Sequence, residues 1–282
     1  MVWVVPGSPF EGERAFDPAK LQTLKEQFKA DRWYTFLGYY PLRIITAGDF
    51  GPSMHQKGFS VNDLLRDKWK VSFSLGFVAL GIAVVVGMTI GTLSAVRRDG
   101  IIDWAGMTLT LVGISVPAFV TAAVLVLVFV AHLRWFGLGE LSTPVDYVLP
   151  GIALSLAPMA YIVRLQRASM LDVLGADYVR TARAKGLAEP AVVTRHALRN
   201  ALIPVVTVLG IQFGRLLGGA VVTEAVFAYP GLGRLVVTSI LNRDYPVVQA
   251  TLMLVVLVFL ATNIVVDLSY AYLDPRVKFE RA

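Results

Sequence analysis

The chain has 282 residues, of which 56% are hydrophobic and 16% are charged, and its formal net charge is +6. A soluble domain usually has about 25% charged residues, so this composition indicates a membrane protein rather than a large soluble α/β domain. The positive charge does not favour nucleic-acid binding, because the basic residues lie in short loops between apolar runs. The chain has no cysteine, and His55, His132 and His196 are far apart in sequence, so we predict no disulfide, cysteine nucleophile or metal site.

The first seventy residues carry charged side chains throughout, and we predict that residues 1–68 form a small segment outside the membrane. Asp17 and Pro18 are typical of a helix start, because aspartate accepts hydrogen bonds from free backbone amides and proline at the first helical position loses none. The two glycines and the proline within residues 48–53 predict a turn.

Five apolar runs follow, and each approaches or exceeds the ~20 residues that a helix needs to cross a bilayer. The predicted spans lie at about 71–96, 104–131, 147–169, 200–222 and 248–272. We therefore predict an all-α, polytopic transmembrane helical bundle. Its membrane domain covers residues 69–272, and residues 273–282 form a tail.

Prolines and glycines inside the predicted spans indicate local helix geometry. Pro117 and Pro158 lie within spans, where neighbouring helices can satisfy the freed carbonyl groups, so we expect each proline to kink its helix. Two glycine pairs have the four-residue spacing that lets another helix approach closely, namely Gly87 with Gly91 and Gly214 with Gly218.

The basic residues between the spans predict the orientation of the chain, because cytoplasmic loops carry an excess of arginine and lysine. They concentrate after the first span, around the connection between the third and fourth spans, and in the tail. These residues are Arg97 and Arg98; Arg164, Arg167, Arg180, Arg183, Lys185, Arg195 and Arg199; and Arg276, Lys278 and Arg281. The other loops hold only Arg134, Arg234 and Arg243. We therefore predict that the three basic regions, including the C-terminus, are cytoplasmic and that residues 1–68 lie outside.

Five spans with a cytoplasmic tail place the first residues outside, although nothing before Met1 could carry them there. The chain begins with Met-Val-Trp-Val-Val-Pro, which is typical of the last turn and a half of an apolar helix that is stopped by proline. We therefore expect that a first span precedes residue 1 and is missing through a misassigned start codon or trimming of the chain.

The loop at residues 177–187 is the most informative part of the sequence. Asp177 suits the N-cap of a helix, residues 178–185 are mostly good helix formers, and Gly186 suits the left-handed position after the last turn. Glu189 and Pro190 then predict a second helix that runs through residues 197–198 into the fourth span.

These residues predict a slim, basic helix outside the bilayer. Thr181, Ala182 and Ala184 keep it slim, while Arg180, Arg183 and Lys185 provide positive charge. Such a helix can insert into a groove on a cytoplasmic partner, but it can equally lie on anionic lipid headgroups. The physical properties of the loop leave both interpretations open.

The loop resembles the docking loop of ABC importer permeases, whose general pattern is Glu-Ala-Ala, three residues, then Gly. Aligned on Gly186, the first three positions are Arg180, Thr181 and Ala182, so arginine replaces the leading glutamate. The whole stretch, Asp-Tyr-Val-Arg-Thr-Ala-Arg-Ala-Lys-Gly-Leu, instead resembles the dipeptide/oligopeptide/nickel branch. Residues 196–204, 223–224, 229–233 and 242–246 resemble the same branch. Residues 6–14 and 48–53 are similar to the oligopeptide permease B subunit, in which a first span precedes the former segment.

The resemblance covers essentially the whole chain and implies the fold of a type I ABC importer permease. It implies a transport subunit without catalytic residues or a metal, which carries oligopeptides together with a homologous second permease, two ABC ATPase subunits and an extracytoplasmic peptide-binding protein. The partner ATPases bind ATP and Mg, and this subunit binds no cofactor. The implied docking residues are Asp177, Tyr178, Arg180, Thr181, Ala182, Arg183, Lys185, Gly186 and Leu187. We expect Ala182 to fit closely against an ATPase. Dipeptides, nickel, glutathione and sugars remain alternative substrates.

Arg215 lies near the middle of the fourth predicted span, where a charge is costly and usually faces a cavity or a partner. Glu224 is nine positions further on, about half a turn off the same face and roughly 13 Å along the axis, so a direct pair is not expected. Arg215 either faces the translocation path and attracts a peptide carboxylate, or it pairs with the second permease or lies nearer a membrane interface than the predicted boundaries suggest. The sequence alone favours the second interpretation.

Two functions from other classes are disfavoured by the sequence. A secondary transporter normally has ionisable coupling residues near the bilayer midplane and internal repeats, and one central arginine in five spans provides neither. A membrane-bound enzyme would need a metal motif, a nucleophile with its base, or paired carboxylates within the membrane, and the sequence contains none of these.

Overall fold

The structure is a computed structural model that describes residues 42–44, 46–56, 58–139, 141 and 143–273, without the side chains of residues 267 and 269–273. The predicted helix start at Asp17 and Pro18, the segment at residues 6–14, and nearly all of the predicted tail lie outside the described residues. Within the described residues the regular structure is helical, with one isolated antiparallel bridge between Pro52 and Ser60 and no strand.

The principal helices follow one another with short connections. They are α1 (Val61–Val96), α2 (Ile101–Ser115), α3 (Ala118–Leu125, continued by a π-helix at Val126–His132), α4 (Val148–Leu174, preceded by a 3-10 turn at Pro144–Tyr147), α5 (Asp177–Ala184), α6 (Glu189–Ala191, Val192–Ala197 and Leu198–Ala201 in succession), α7 (Ile203–Val226), α8 (Leu232–Leu241) and α9 (Tyr245–Leu273). Four segments are long and apolar enough to cross a membrane: Val61–Val96, Pro144–Leu174, Ile203–Val226 and Tyr245–Val266. These correspond to four of the five predicted spans.

The remaining predicted span, at about 104–131, is not one continuous helix. Helices α2 and α3 form it as a bent pair, with an angle of 99° between them. The bend expected at Pro117 is present, but it is a break between two helices and not a kink within one continuous helix. Proline disfavours the helical conformation of the residue before it, and Val116 is extended, with φ −91° and ψ 117°. Pro158, in contrast, lies inside α4, which continues through it.

Helix α1 begins ten residues before the predicted start of the first span. Ser60 and Asp63 cap it reciprocally: the Asp63 amide donates to Ser60 Oγ at 3.1 Å, and the Ser60 amide donates to Asp63 Oδ2 at 3.2 Å. The first turns are polar, so apolar content alone places the helix start too late. The helix ends before residues 97–100, as predicted, and Asp99 there has a φ of 62°.

The described residues divide into two compact units. One contains the residues up to Ser72 together with Pro230–Val256, and the other contains Phe73–Tyr229 together with the residues from Leu257 onward. In the first unit, the buried carboxylate of Asp244 accepts hydrogen bonds from Ser53 Oγ and from the amides of Met54 and His55. Gly48 and Gly51 both have positive φ, but residues 48–53 are irregular and form no hydrogen-bonded turn, so the predicted turn is not confirmed.

Helix α4 is the centre of the second unit. Most of its apolar span is buried, and α1, α2, α3 and α7 pack around it. One core cluster joins Leu75 of α1, Leu154 of α4 and Leu216 of α7. Another joins Ala83 of α1 with Ile162 of α4 and Val205 of α7. Because Leu154 pairs with the later part of α7 and Ile162 with its start, α4 and α7 run antiparallel.

The predicted close approach at Gly87 and Gly91 is confirmed. A Cβ atom on Gly91 would lie 2.6 Å from the carbonyl oxygen of Val163, and one on Gly87 would lie 3.0 Å from Ile162 Cγ2. In the second pair, Gly214 packs against Phe259, but a Cβ atom on Gly218 meets nothing within 4 Å of the described atoms. The prediction therefore holds for Gly214 and is wrong for Gly218 within this chain.

Gly91→Ala is expected to lower the free energy of unfolding by about 1–3 kcal/mol, because the added methyl group collides with a backbone carbonyl of α4. The higher helix propensity of alanine opposes this by about 1 kcal/mol. Gly81 lies on the same helix with open space around it, so Gly81→Ala is the matched control and should be neutral or stabilising. Thermal unfolding in detergent measures both, and equal midpoints would contradict the close packing.

Candidate functional site

The loop at residues 177–187 forms helix α5, but its start differs from the prediction. The N-cap is Ala176, with ψ 149°, and Asp177 is the first helical residue, so the prediction that Asp177 is the N-cap is wrong. Its exposed carboxylate contacts Arg180 one turn later at 3.6 Å. A negative charge in the first turn still favours the helix through the helix dipole.

The end of α5 has the predicted geometry. Gly186 has a φ of +77°, in the left-handed region. Its amide donates to the carbonyl of Arg183 at 2.9 Å, and the amide of Leu187 donates to the carbonyl of Ala182 at 3.4 Å. These two bonds form the Schellman motif that terminates many helices. Nothing lies within 4 Å of a Cβ atom on Gly186, so glycine is favoured there by backbone conformation alone.

One face of α5 packs against its own chain. Val179 and Ala182 are buried together with Val192 of α6, and the partly buried Val173 and Leu174 of α4 pack against them. Ala182 is only 5% exposed. The prediction that Ala182 fits closely against a partner is therefore corrected: in this chain its small side chain lets α5 approach α6.

Polar contacts hold α5 to α6. Arg183 and Glu189 form a two-bond ion pair, with Nε to Oε2 at 3.1 Å and Nη2 to Oε1 at 2.6 Å. The hydrogen bonds from Arg183 lower the pKa of Glu189 below its usual value and raise the pKa of Arg183. Asn200 Nδ2 donates to the Tyr178 hydroxyl at 2.8 Å. Tyr178 and Arg183, both predicted docking residues, thus also fix the loop itself.

The outer face of α5 carries the remaining predicted docking residues. Arg180, Thr181, Lys185 and Leu187 are exposed, and so is Ala184. Arg183 is paired with Glu189, whereas Arg180, which lies 3.6 Å from Asp177, and Lys185, just after α5, are exposed to solvent. The exposed surface therefore combines two basic side chains with small and apolar ones, which suits contact with a partner of complementary charge.

Arg215 lies on α7 and belongs to a second candidate site, separate from the loop at residues 177–187. It lines a cavity of about 320 Å³ between α4, α7 and the break between α2 and α3, and Arg164 of α4 lines the same cavity. Glu224 is completely buried, whereas Arg215 is exposed. Within the described part of the chain, neither Arg215 nor Arg164 forms an ion pair with an acidic side chain.

Sequence reasoning missed a buried ion pair between α2 and α4. Arg167 Nε and Nη2 each donate to one carboxylate oxygen of Asp103 at 2.6 Å, and the Asp99 amide donates to Asp103 Oδ2 at 3.0 Å. Asp103 is 5% exposed. Arg167 was counted only as an orientation charge. An aspartate near the start of an apolar helix was the available signal, since a buried carboxylate needs a partner.

Comparison with known families decides the class of protein. The family described as "Binding-protein-dependent transport system inner membrane component" matches residues 87–279. The chain belongs to this family. It is a multi-pass membrane protein of the inner membrane, and the secondary-transporter and membrane-enzyme alternatives are set aside by this match.

Two curated relatives and one solved structure agree with this membership. The dipeptide transport system permease protein DppB of Bacillus subtilis (strain 168) is 43% identical over 278 residues, covering 99% of this chain and 90% of the relative. The oligopeptide transport system permease protein OppB of Haemophilus influenzae is 39% identical over 278 residues, covering 98% and 91%. An inward-facing structure of the MetNI methionine ABC transporter has a TM-score of 0.62 at 20% identity, covering 75% of this chain and 96% of that chain. The last likeness concerns the fold alone, and it confirms the predicted type of permease fold.

The relatives are transport permease subunits, and the family member described here acts in transport. Among the described residues, no group of three histidine, aspartate or glutamate side chains is arranged to hold a metal ion. The roles of α5 and of Arg215 stay predictions.

Proposed function

We propose that this chain is the membrane-spanning permease subunit of an ATP-binding-cassette importer of oligopeptides, and that it couples to cytoplasmic ATPases through α5. The observation that carries the proposal is the geometry of the loop. A short helix with a Schellman end, a buried seam and the Arg183–Glu189 ion pair presents a fixed basic face. A rigid element of this kind can transmit a partner's movement to the helices that follow it.

The proposed assembly contains a homologous second permease, two ABC ATPase subunits and an extracytoplasmic peptide-binding protein. ATP and Mg are bound by the ATPases, and this subunit holds no cofactor. The distribution of basic residues supports an orientation with α5 and the C-terminus in the cytoplasm and residues 1–68 outside, as a multi-pass protein of the cell inner membrane. The proposed contacts are with protein subunits, peptide and the lipid bilayer, not with nucleic acid.

Peptide is the substrate class favoured by the relatives, since two of them are named for dipeptide and oligopeptide transport. Their similar identities to this chain, 43% and 39%, do not separate the two peptide lengths. Dipeptides are therefore the second candidate. Uptake of peptides of two to six residues into proteoliposomes that contain the whole importer distinguishes them.

Reversing the exposed charges of α5 tests the docking role. The double variant Arg180→Glu/Lys185→Glu is expected to lower co-purification of the ATPases, and ATP-driven peptide uptake with it, by at least about 10-fold. The physical reason is that like charges across an interface strongly disfavour it. The fold of α5 should be retained, because its buried seam does not involve these side chains. Co-purification from cells that express the complete importer and uptake by vesicles measure the two effects.

The matched control is Arg195→Glu/Arg199→Glu. It makes the same change of charge at two exposed positions of α6. Retained ATPase binding in this control, together with its loss in the α5 variant, supports docking through α5. Equal ATPase binding by both variants would count against the proposed contact.

A further inference from the structure

The cavity beside Arg215 is large enough for a small ligand. Its volume of about 320 Å³ lies at the lower end of the range of roughly 300–1,000 Å³ for ligand pockets in proteins. Most of its lining is apolar, with Leu154 and Pro158 on α4 and Leu216 on α7. The polar groups are few, which is typical of sites where a small number of groups orient the ligand.

Among the described residues, the charged lining of the cavity is positive. Arg164 and Arg215 both line it, and no described aspartate or glutamate does. Within the described part of the chain, neither arginine is paired with a carboxylate. A charge in a membrane-spanning helix is costly and is retained where it meets a partner or a substrate. Both arginines are exposed, so an anionic group that enters the cavity can reach them and offset their charge.

The two arginines lie at different depths. Arg215 is 12 residues from the start of α7, roughly 18 Å along a helix of 24 residues. Leu154 Cδ1 lies 3.2 Å from the Cβ position of Gly219, which aligns the antiparallel helices α4 and α7. Counting from this contact, Arg164 lies roughly 9 Å further than Arg215 toward the end of α4 that leads into α5. Both side chains are long, so the two guanidinium groups can approach one anionic group that lies between these depths.

The break in the second span contributes to the same cavity. Ile114, at the end of α2, and Ala118, the first residue of α3, both belong to the lining. Helix α3 therefore begins beside the cavity, and the start of a helix carries a partial positive charge. Irregular backbone at membrane depth is tolerated where it lines a cavity, and broken helices in transporters direct their positive ends at anionic substrate groups.

We propose that this cavity binds the C-terminal carboxylate of a peptide in transit, with Arg215 as the principal contact and Arg164 as the second. This inference rests on the proposed import of peptides. A guanidinium group binds a carboxylate through two parallel hydrogen bonds. The Gln212 amide and the Tyr161 side chain, which also line the cavity, provide a polar and an aromatic contact for the rest of the peptide. Every linear peptide with a free C-terminus carries this carboxylate, so such a site accepts peptides of different sequence.

The test uses the complete importer, with its second permease, ATPases and binding protein, in proteoliposomes. The probes are tri-alanine and tri-alanine amide, which differ only in the charge of the C-terminus. Each is supplied at saturating, fully loaded binding protein, so that a preference of the binding protein itself does not affect the rates. The wild type is expected to import tri-alanine at least about 10-fold faster than the amide, since hydrogen bonds to a charged group are among the stronger ones.

The variant Arg215→Gln is expected to reduce this preference to within about twofold, mainly by slowing the import of tri-alanine. Arg164→Gln is expected to reduce it partly, and Arg215→Lys, which keeps the charge, should retain most of it. Arg199→Gln is the matched control, because Arg199 is an exposed arginine of α6 outside the cavity. It should import both probes as the wild type does.

Several results would overturn the inference. One is an unchanged preference for tri-alanine in both glutamine variants. Another is a pair of results: complexes with Arg215→Gln lose the second permease, and Arg164→Gln leaves the preference for tri-alanine unchanged. Together they would show that Arg215 pairs with the second permease. A third is a preference that depends on phosphatidylglycerol in the vesicles, which would assign the arginines to lipid headgroups. If the wild type imports neither probe, the proposed peptide import fails instead.

Discussion

Asp103→Ala is expected to lower the free energy of unfolding by about 3 kcal/mol. The change leaves Arg167 without its partner, and loss of one member of a buried ion pair typically costs about 3–5 kcal/mol. The side chain of Arg167 is 23% exposed, so water recovers part of this cost. Thermal unfolding of the purified chain in detergent measures the loss.

The double variant Asp103→Leu/Arg167→Met separates the ion pair from the packing around it. Replacing a buried pair with apolar side chains of similar volume is often neutral or stabilising, so the double variant should recover most of the stability lost in Asp103→Ala. Asp67→Ala is the control, because Asp67 lies on α1 and its side chain is 86% exposed, so its loss should contribute little. If the double variant is as unstable as Asp103→Ala, the ion pair does not account for the loss.

This pair also bears on transport, because it joins two elements that approach the proposed peptide site. Asp103 lies in the first turn of α2, whose last turn reaches the cavity at Ile114. Arg167 lies three residues after Arg164 on α4. The ion pair therefore fixes α2 on α4 at one end of the wall that contains the broken span. Stable packing of the helices around the cavity holds its charged side chains at defined positions.

The parts of the fold that the sequence predicts are those that depend on neighbouring residues. The left-handed Gly186 follows from backbone sterics, and the start of α6 at Glu189 and Pro190 follows from the preference of proline for the first turn. Apolar length likewise identifies the long membrane helices, although the capped polar start of α1 at Ser60 extends that helix beyond its apolar part.

The parts that the sequence does not predict depend on contacts between distant residues. Asp103 and Arg167 are 64 positions apart, and nothing local indicates that they meet. The 99° bend between α2 and α3 also exceeds what a proline in a membrane helix alone predicts, since Pro158 leaves α4 continuous. The cavity shared by Arg164 and Arg215 requires the antiparallel packing of α4 on α7. Residue type shows that these groups are unusual, but only the fold shows what faces them.

The contacts of Ala182, in the candidate site, likewise could not be predicted from its neighbours in sequence. A substitution at Ala182 has the largest expected effect on transport. Ala182→Glu is expected to abolish peptide uptake while the chain still inserts in the membrane. The reason is the burial of a carboxylate between Val179 and Val192, which separates α5 from α6. Uptake by proteoliposomes, together with hydrogen exchange of the α5 amides, measures the two consequences.

The control for Ala182→Glu is Ala184→Glu, two positions away on the exposed face of the same helix. This variant should keep the slow hydrogen exchange of α5, because its carboxylate points into solvent and leaves the seam with α6 intact. If α5 docks an ATPase, Ala184→Glu should weaken co-purification of that partner without loosening the loop, whereas Ala182→Glu should do both. If Ala182→Glu keeps slow hydrogen exchange, the loop tolerates the buried charge. A loss of uptake by this variant would then arise at the surface of α5 that contacts the partner. The pair of variants therefore separates a residue that shapes the docking helix from one that lies on its contact face.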